Sequence, residues 1–217
     1  MNKLLILLLV AATSSAFAQS SNRNQKSEIY LGPVFTDGKN YSFDGGSTAR
    51  TDTGYGLNFG YAYNSNRHWA AGMDLVWSEQ DYRATVQPGV GNNNTARQIN
   101  GRLDTGTVRF NGTYHLLEGR FTPFATAGLG WTYIDSNIPS GLPENFCWTY
   151  PWYGTYCGTY VPTASTTRFS YNGGLGLRLD AGSGVFRFLV NSQWADFGNS
   201  YGSSNVIQYR IDFGTKF

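Results

Sequence analysis

The chain has 217 residues, including 27 Gly, 15 Tyr, 14 Phe and 6 Trp, with a formal net charge of +2 and a mean hydropathy of −0.34. This composition suits strands and turns and is poor for helices. The near-balanced charge offers no basic patch for nucleic acid, no segment beyond the amino end is apolar enough for a membrane-spanning helix, and the length fits one domain.

Met1-Asn2-Lys3 is a short positive start, Leu4 to Ala12 is an unbroken apolar run, and Ala16-Phe17-Ala18 is an A-x-A cleavage site. These residues predict a secretory signal peptide over 1–18, since the apolar run is too short to cross a bilayer. The polar stretch 19–27 is expected to be a flexible lead-in to a single domain over 28–217.

Eight strands follow. The first, near 28–36, is ambiguous: Ile29, Leu31 and Phe35 share a face, Tyr30 and Val34 compete for it, and Pro33 removes a ladder donor, so a bulge or strand end is expected there. The next six, near 53–64, 68–79, 103–116, 121–134, 167–180 and 185–196, alternate with period two. Residues such as Leu57, Leu75, Phe110, Leu129, Leu175 and Phe188 form one face; Gly, Asn, Thr and Ser dominate the other. The last strand has Tyr209, Ile211, Phe213 and Phe217 on its apolar face. Connections at 64–67, 117–120 and 181–184 are tight. Those at 37–52, 80–102, 135–166 and 197–205 are long, so all long loops fall at one end. Small residues on the polar face suit the cramped inside of an eight-stranded barrel, whereas a soluble barrel would show more Lys and Glu to water.

The signal peptide, the alternation, the loop asymmetry and the ending Ile211-Asp212-Phe213-Gly214-Thr215-Lys216-Phe217 together resemble the small bacterial outer-membrane β-barrels of the OmpA transmembrane-domain, OmpX and OmpW type. The resemblance implies an all-β, eight-stranded antiparallel up-and-down transmembrane β-barrel. It implies a Gram-negative outer-membrane location, contact with membrane lipid and lipopolysaccharide, and a last strand (Tyr209, Ile211, Phe213, Phe217) read by the barrel-assembly machinery. The peptidoglycan-binding domain that follows the OmpA barrel is not expected, and the resemblance transfers no catalytic residue.

Cys147 and Cys157 are the only cysteines, and in an exported chain they are expected to pair. Closing so short a loop contributes roughly 2–3 kcal/mol. The stapled segment carries Trp148, Tyr150, Trp152, Tyr153 and Tyr156. Two readings stay open: a patch that binds glycan, lipopolysaccharide or a host surface, or a lid that packs its own aromatics. The polar faces place Asp74, Arg109, Arg178, Arg187, Arg210 and Asp212 in the lumen, where buried charges need partners. A network plugging the barrel is expected, with a lining for a small conductance as the alternative. His68 and His115 both fall at tight turns outside any Ser-His motif, and there is no HExxH, phosphate loop or metal-ligand spacing. The expectation is therefore a monomeric, non-enzymatic barrel without cofactor or metal, acting structurally or in surface interaction through its outer loops. A narrow channel for small or hydrophobic solutes comes second and a lipid-A-modifying enzyme third.

Overall fold

The computed structural model describes residues 23–42, 46–86, 97–140, 142–152, 154–196 and 203–217. The predicted signal peptide lies outside them. The strands in chain order are β1 (Lys26–Thr36), β2 (Asn40–Ser42), β3 (Thr48–Thr51), β4 (Gly54–Asn64), β5 (Trp69–Val86), β6 (Arg97–His115), β7 (Phe121–Pro139), β8 (Glu144–Tyr150), β9 (Gly154–Tyr160), β10 (Thr163–Ala181), β11 (Gly184–Asp196) and β12 (Ser203–Lys216). The expected antiparallel eight-stranded barrel is present: β1, β4, β5, β6, β7, β10, β11 and β12 each pair with the next, and β12 pairs back with β1. Backbone bonds between Ser27 and Phe217, at 3.1 and 2.9 Å, complete the seam.

The alternation sorts residues by face. Leu57, Phe59, Trp77, Phe110, Leu129, Leu175, Phe188 and Ile211 point outward and stay exposed, while Asn58, Asp74, Arg109, Asn172, Arg187 and Arg210 are buried inside. An apolar exterior around a polar interior is the inverse of a soluble barrel and matches a lipid solvent. The turns at 65–68, 116–120 and 182–183 lie at one end. Gly182, the first central residue of a two-residue hairpin, has φ +63°, the left-handed conformation such a turn demands.

Three expectations change. Pro33 causes neither a bulge nor a strand end: β1 runs through it, and its register with β12 is the same on both sides, Leu31 opposite Phe213 and Val34 opposite Arg210. Only the rungs at Gly32 and Pro33 are missing on that side, because Pro has no N–H to give. The polar lead-in is not free to its end, since strand begins at Lys26 and Arg23 is fully buried at the turn end. Finally, β5, β6, β7 and β10 run to 18 or 19 residues, well beyond the roughly 9–11 that span a bilayer. Their upper parts read as loop because both faces meet water there and alternation fades. The long connection after β1 adds β2 and β3 to the upper edge of β5, and the one after β7 forms the separate hairpin β8–β9.

The facing generates a prediction. Leu175, 70% exposed near mid-strand, should lose about 2–4 kcal/mol as Leu175→Arg, read by urea unfolding in lipid vesicles. Gly174→Arg should instead reduce folded yield, since even a Cβ there sits 2.7 Å from the Val190 carbonyl oxygen. A neutral Leu175→Arg would invert the facing.

Candidate functional site

Small inner-wall residues leave room for a few long charged side chains. At Gly60 a Cβ would run into the Tyr30 ring and the Asp74 carboxylate, so the glycine makes the space those groups occupy.

From mid-lumen toward the tight-turn end, ion pairs form one connected chain. Arg210 donates to Asp74 at 2.8 Å and to Asp212 at 3.0 Å. Arg187 donates to the same Asp212 oxygen at 2.9 Å and lies 3.5 Å from Glu28. Arg178 grips Glu28 with two bonds, 3.0 and 2.7 Å, the bidentate geometry that makes Arg–carboxylate pairs strong. Arg178 also reaches Asp180, which is met by Lys216 at 3.1 Å and Arg23 at 3.3 Å. Neutral groups occupy remaining positions: Tyr30 and Asn111 donate to Asp74, and Asn58 donates to Asp212. The Arg187 guanidinium lies 3.4 Å above the Tyr30 ring centroid, a cation–π contact.

Five of the six lumen residues expected from sequence, Asp74, Arg178, Arg187, Arg210 and Asp212, fall in this chain. Arg109 does not. It is 1% exposed, donates across the lumen to Gln208 at 3.1 Å, and makes no ion pair among the described residues. Glu28, Asp180 and Lys216 escaped the sequence reading although alternation puts them on the polar face. Tyr30 was missed because an aromatic residue reads as lipid-facing, and Arg23 because it precedes any strand. Above the Arg109–Gln208 crossbar a cavity of about 80 Å3 opens among Thr36, Ser78, Gln80, Thr107, Gln193 and Gln208.

At the outer end, β8 and β9 pair in register with Cys147 opposite Cys157, and the two are joined by a disulfide. Trp148 is the register partner of Tyr156 and Tyr150 that of Gly154; Tyr153 lies outside the described residues. Trp152 is 89% exposed and Tyr156 65%, so the loop does not pack these two rings away. Toward the opposite end, His115 is buried with Nδ1 3.2 Å from the His68 carbonyl and Nε2 3.4 Å from Arg178. His68 lies 3.3 Å from Glu118. At this turn the Arg67 hydrogen bond, 2.6 Å, holds the Glu118 carboxyl below its ordinary range. Tyr209, Ile211 and Phe213 form an outward row on β12, with Phe213 edge-on to Phe186, and the exposed Phe217 follows just past the strand's end.

A family model described as an outer membrane protein beta-barrel domain matches residues 4–214. Among solved structures, the outer membrane protein OprG from Pseudomonas aeruginosa aligns with a TM-score of 0.54 at 15% identity, covering 90% of this chain and 97% of that one. Ail, the attachment invasion locus protein of Yersinia pestis, solved with the heparin analogue sucrose octasulfate, gives 0.45 at 16%, covering 89% and 99%. The N-terminal β-barrel domain of Pseudomonas aeruginosa OprF gives 0.39 at 15%, covering 88% and 98%. At these identities the likeness is one of fold. No curated protein matches the chain.

The ion-pair chain yields a double-variant prediction. Asp74→Ala leaves Arg210 with Asp212 as its one remaining carboxylate partner and takes the acceptor from Tyr30 and Asn111, and should cost about 3–5 kcal/mol in urea unfolding. Asp74→Leu combined with Arg210→Met removes both charges and should recover most of that loss. Equal losses in the two variants would contradict a coupled pair.

Proposed function

Because the chain belongs to the outer membrane protein β-barrel domain family, whose barrels sit in the Gram-negative outer membrane, we propose that it is a monomeric surface-interaction protein that binds glycan through its stapled outer hairpin. The supporting observation is the pair of solvent-facing rings, Trp152 and Tyr156, on a two-stranded hairpin closed by Cys147–Cys157. Large exposed aromatics are costly to leave in water and suit the apolar faces of sugars or of a host surface. The disulfide holds the hairpin in shape before a ligand arrives, which lowers the ordering cost of binding. Trp148, Tyr150 and Tyr153 are proposed as further members of this patch.

In this reading the lumen is a structural plug, neither a pathway nor a catalytic centre. Asp74, Arg178, Arg187, Arg210 and Asp212 are engaged in ion pairs, Arg109 is held by Gln208, and His115 is bonded to a carbonyl and an arginine. The outward row Tyr209, Ile211 and Phe213, with Phe217 after it, is proposed to serve assembly.

The test is a glycan array and host-matrix binding assay on the purified, disulfide-intact barrel. Trp152→Ala with Tyr156→Ala should lower binding about tenfold or more. Replacing both cysteines with Ser should weaken binding while leaving barrel melting nearly unchanged, because barrel stability comes from closed strand pairing. Binding unaffected by the aromatic changes, or no binding to any glycan or matrix component, would end this reading.

A further inference from the structure

The lumen carries more positive than negative charge. Among the described residues six buried side chains in it are cationic, five arginines and Lys216, and four are carboxylates, Glu28, Asp74, Asp180 and Asp212. Arginine keeps its proton, so the excess of positive charge cannot be relieved by titration, and uncompensated charge in a narrow interior is costly. At the tight-turn end Lys216 and Arg23 both reach Asp180. Arg109, higher up, reaches no carboxylate among the described residues. Asp74 is its register partner on β5, but Asp74 accepts from Arg210, Tyr30 and Asn111 instead.

Arg109 is also incompletely bonded. Its Nη1 donates to the Gln208 amide oxygen at 3.1 Å, while Nε and Nη2 have no hydrogen-bond partner among the described residues. Arg187 and Arg210 each lack a partner at Nε alone. The Nε–H and Nη2–H groups of Arg109 lie side by side on one edge of the planar guanidinium, the edge that grips an anion with two parallel bonds. The cavity of about 80 Å3 lies just above, with Gln208, Thr107 and Thr36 in its wall. Thr36 is the register partner of Gln208, and its buried hydroxyl is unpaired as well.

We propose that Arg109 and the cavity above it form a binding site for a small monovalent anion, of halide or formate size. The amide oxygen of Gln208 is a neutral partner and a weaker one for a guanidinium than an anion is. Gln208 turns into the cavity, and the anion accepts from Nε and Nη2 of Arg109, with the Thr36 hydroxyl as a further donor. The cavity is several times the roughly 10–15 Å3 that one water needs. That is room for a displaced amide beside a small ion, and too little for a sugar. The ion pairs of Asp74, Arg210 and Asp212 lie beneath, so the anion enters from the long-loop end and stops at Arg109. It offsets part of the excess positive charge and opens no path through the barrel. The site is independent of the stapled hairpin.

The site can be tested by NMR of the arginine Nε–H signals of the mature, disulfide-intact barrel folded in detergent micelles. The Arg109 signal is assigned by its loss in Arg109→Gln. Sodium bromide or sodium formate, titrated against sodium gluconate at constant ionic strength, should move that signal saturably, and gluconate, too large for the site, should not. Gln208→Glu places a carboxylate against Arg109 in advance and should weaken bromide binding about tenfold or more. Gln208→Ala removes the competing amide and should bind bromide at least as tightly as the wild type, which keeps the question answerable should Gln208→Glu fold poorly. As a second readout, bromide in place of gluconate should raise the urea midpoint of the wild type, since a ligand held only by the folded state stabilises it. That difference should vanish in Arg109→Gln. An Arg109 signal unmoved by bromide and formate, an equal shift with gluconate, undiminished bromide binding in Gln208→Glu, or weaker binding in Gln208→Ala would overturn the proposal.

Discussion

A ring of eight strands is barely wide enough to hold side chains, and most of this structure follows from that narrowness. Strand closure satisfies the inter-strand rungs that lipid would otherwise leave bare, apart from those missing at Gly32 and Pro33. It also means that any long residue placed inside must end against another strand. Arg210 and Asp212 on β12 therefore meet Asp74 on β5 and Arg187 on β11, and Arg178 on β10 crosses to Glu28 on β1. Glycines on the inner wall make that room. Tyr30 faces inward because the lumen needs a donor for Asp74 and a flat surface for Arg187. Removing water from such a site makes each charge depend on its partners, so the ion pairs form a connected chain in place of isolated contacts.

On the proposed reading of the lumen as a plug, the chemistry available to other molecules lies outside and separates by height. At the tight-turn end, Arg23 ties the segment before β1 to Asp180 and to the carbonyls of Arg67 and Leu117. Across the membrane, the outer wall is apolar. At the outer boundary it becomes aromatic and then charged, from Leu57, Trp77 and Tyr133 to Glu79, Asp104 and Asp135. Above that, β5, β6, β7 and β10 carry the sheet clear of the membrane, β2 and β3 extend its edge, and the stapled hairpin presents Trp152 and Tyr156 to water. The proposed glycan recognition belongs to the top of this division.

Much of the fold was legible because lipid and lumen impose opposite demands on successive residues. Phe110 against Arg109, Leu175 against Gly174 and Ile211 against Arg210 are readable as pairs without coordinates. Reading failed where one of the two demands disappears. Above the membrane, Asp81 to Val86 and Arg97 to Arg102 pair in register, but water lies on both sides and no alternation marks them. In β1, Tyr30 and Val34 are apolar residues that face the lumen, so the pattern there looked confused. Pro33 suggested an interruption, yet losing a rung or two on one side leaves the strand held by its continuous ladder with β4. The lumen charges were visible as residue types on a polar face, but their pairing depends on strands distant in sequence.

The claim on which the rest stands is that the cross-lumen ion pairs close the barrel to solutes, leaving its outer surface to do the work. Planar-bilayer recording from the folded, disulfide-intact protein tests this most directly. A lumen closed by Asp74, Arg210, Asp212 and Arg187, with Arg109 and Gln208 barring the level above, should give no discrete conductance steps at moderate voltage. Reproducible, ion-selective openings of the unmodified protein would contradict it and return the lumen to the centre of its function.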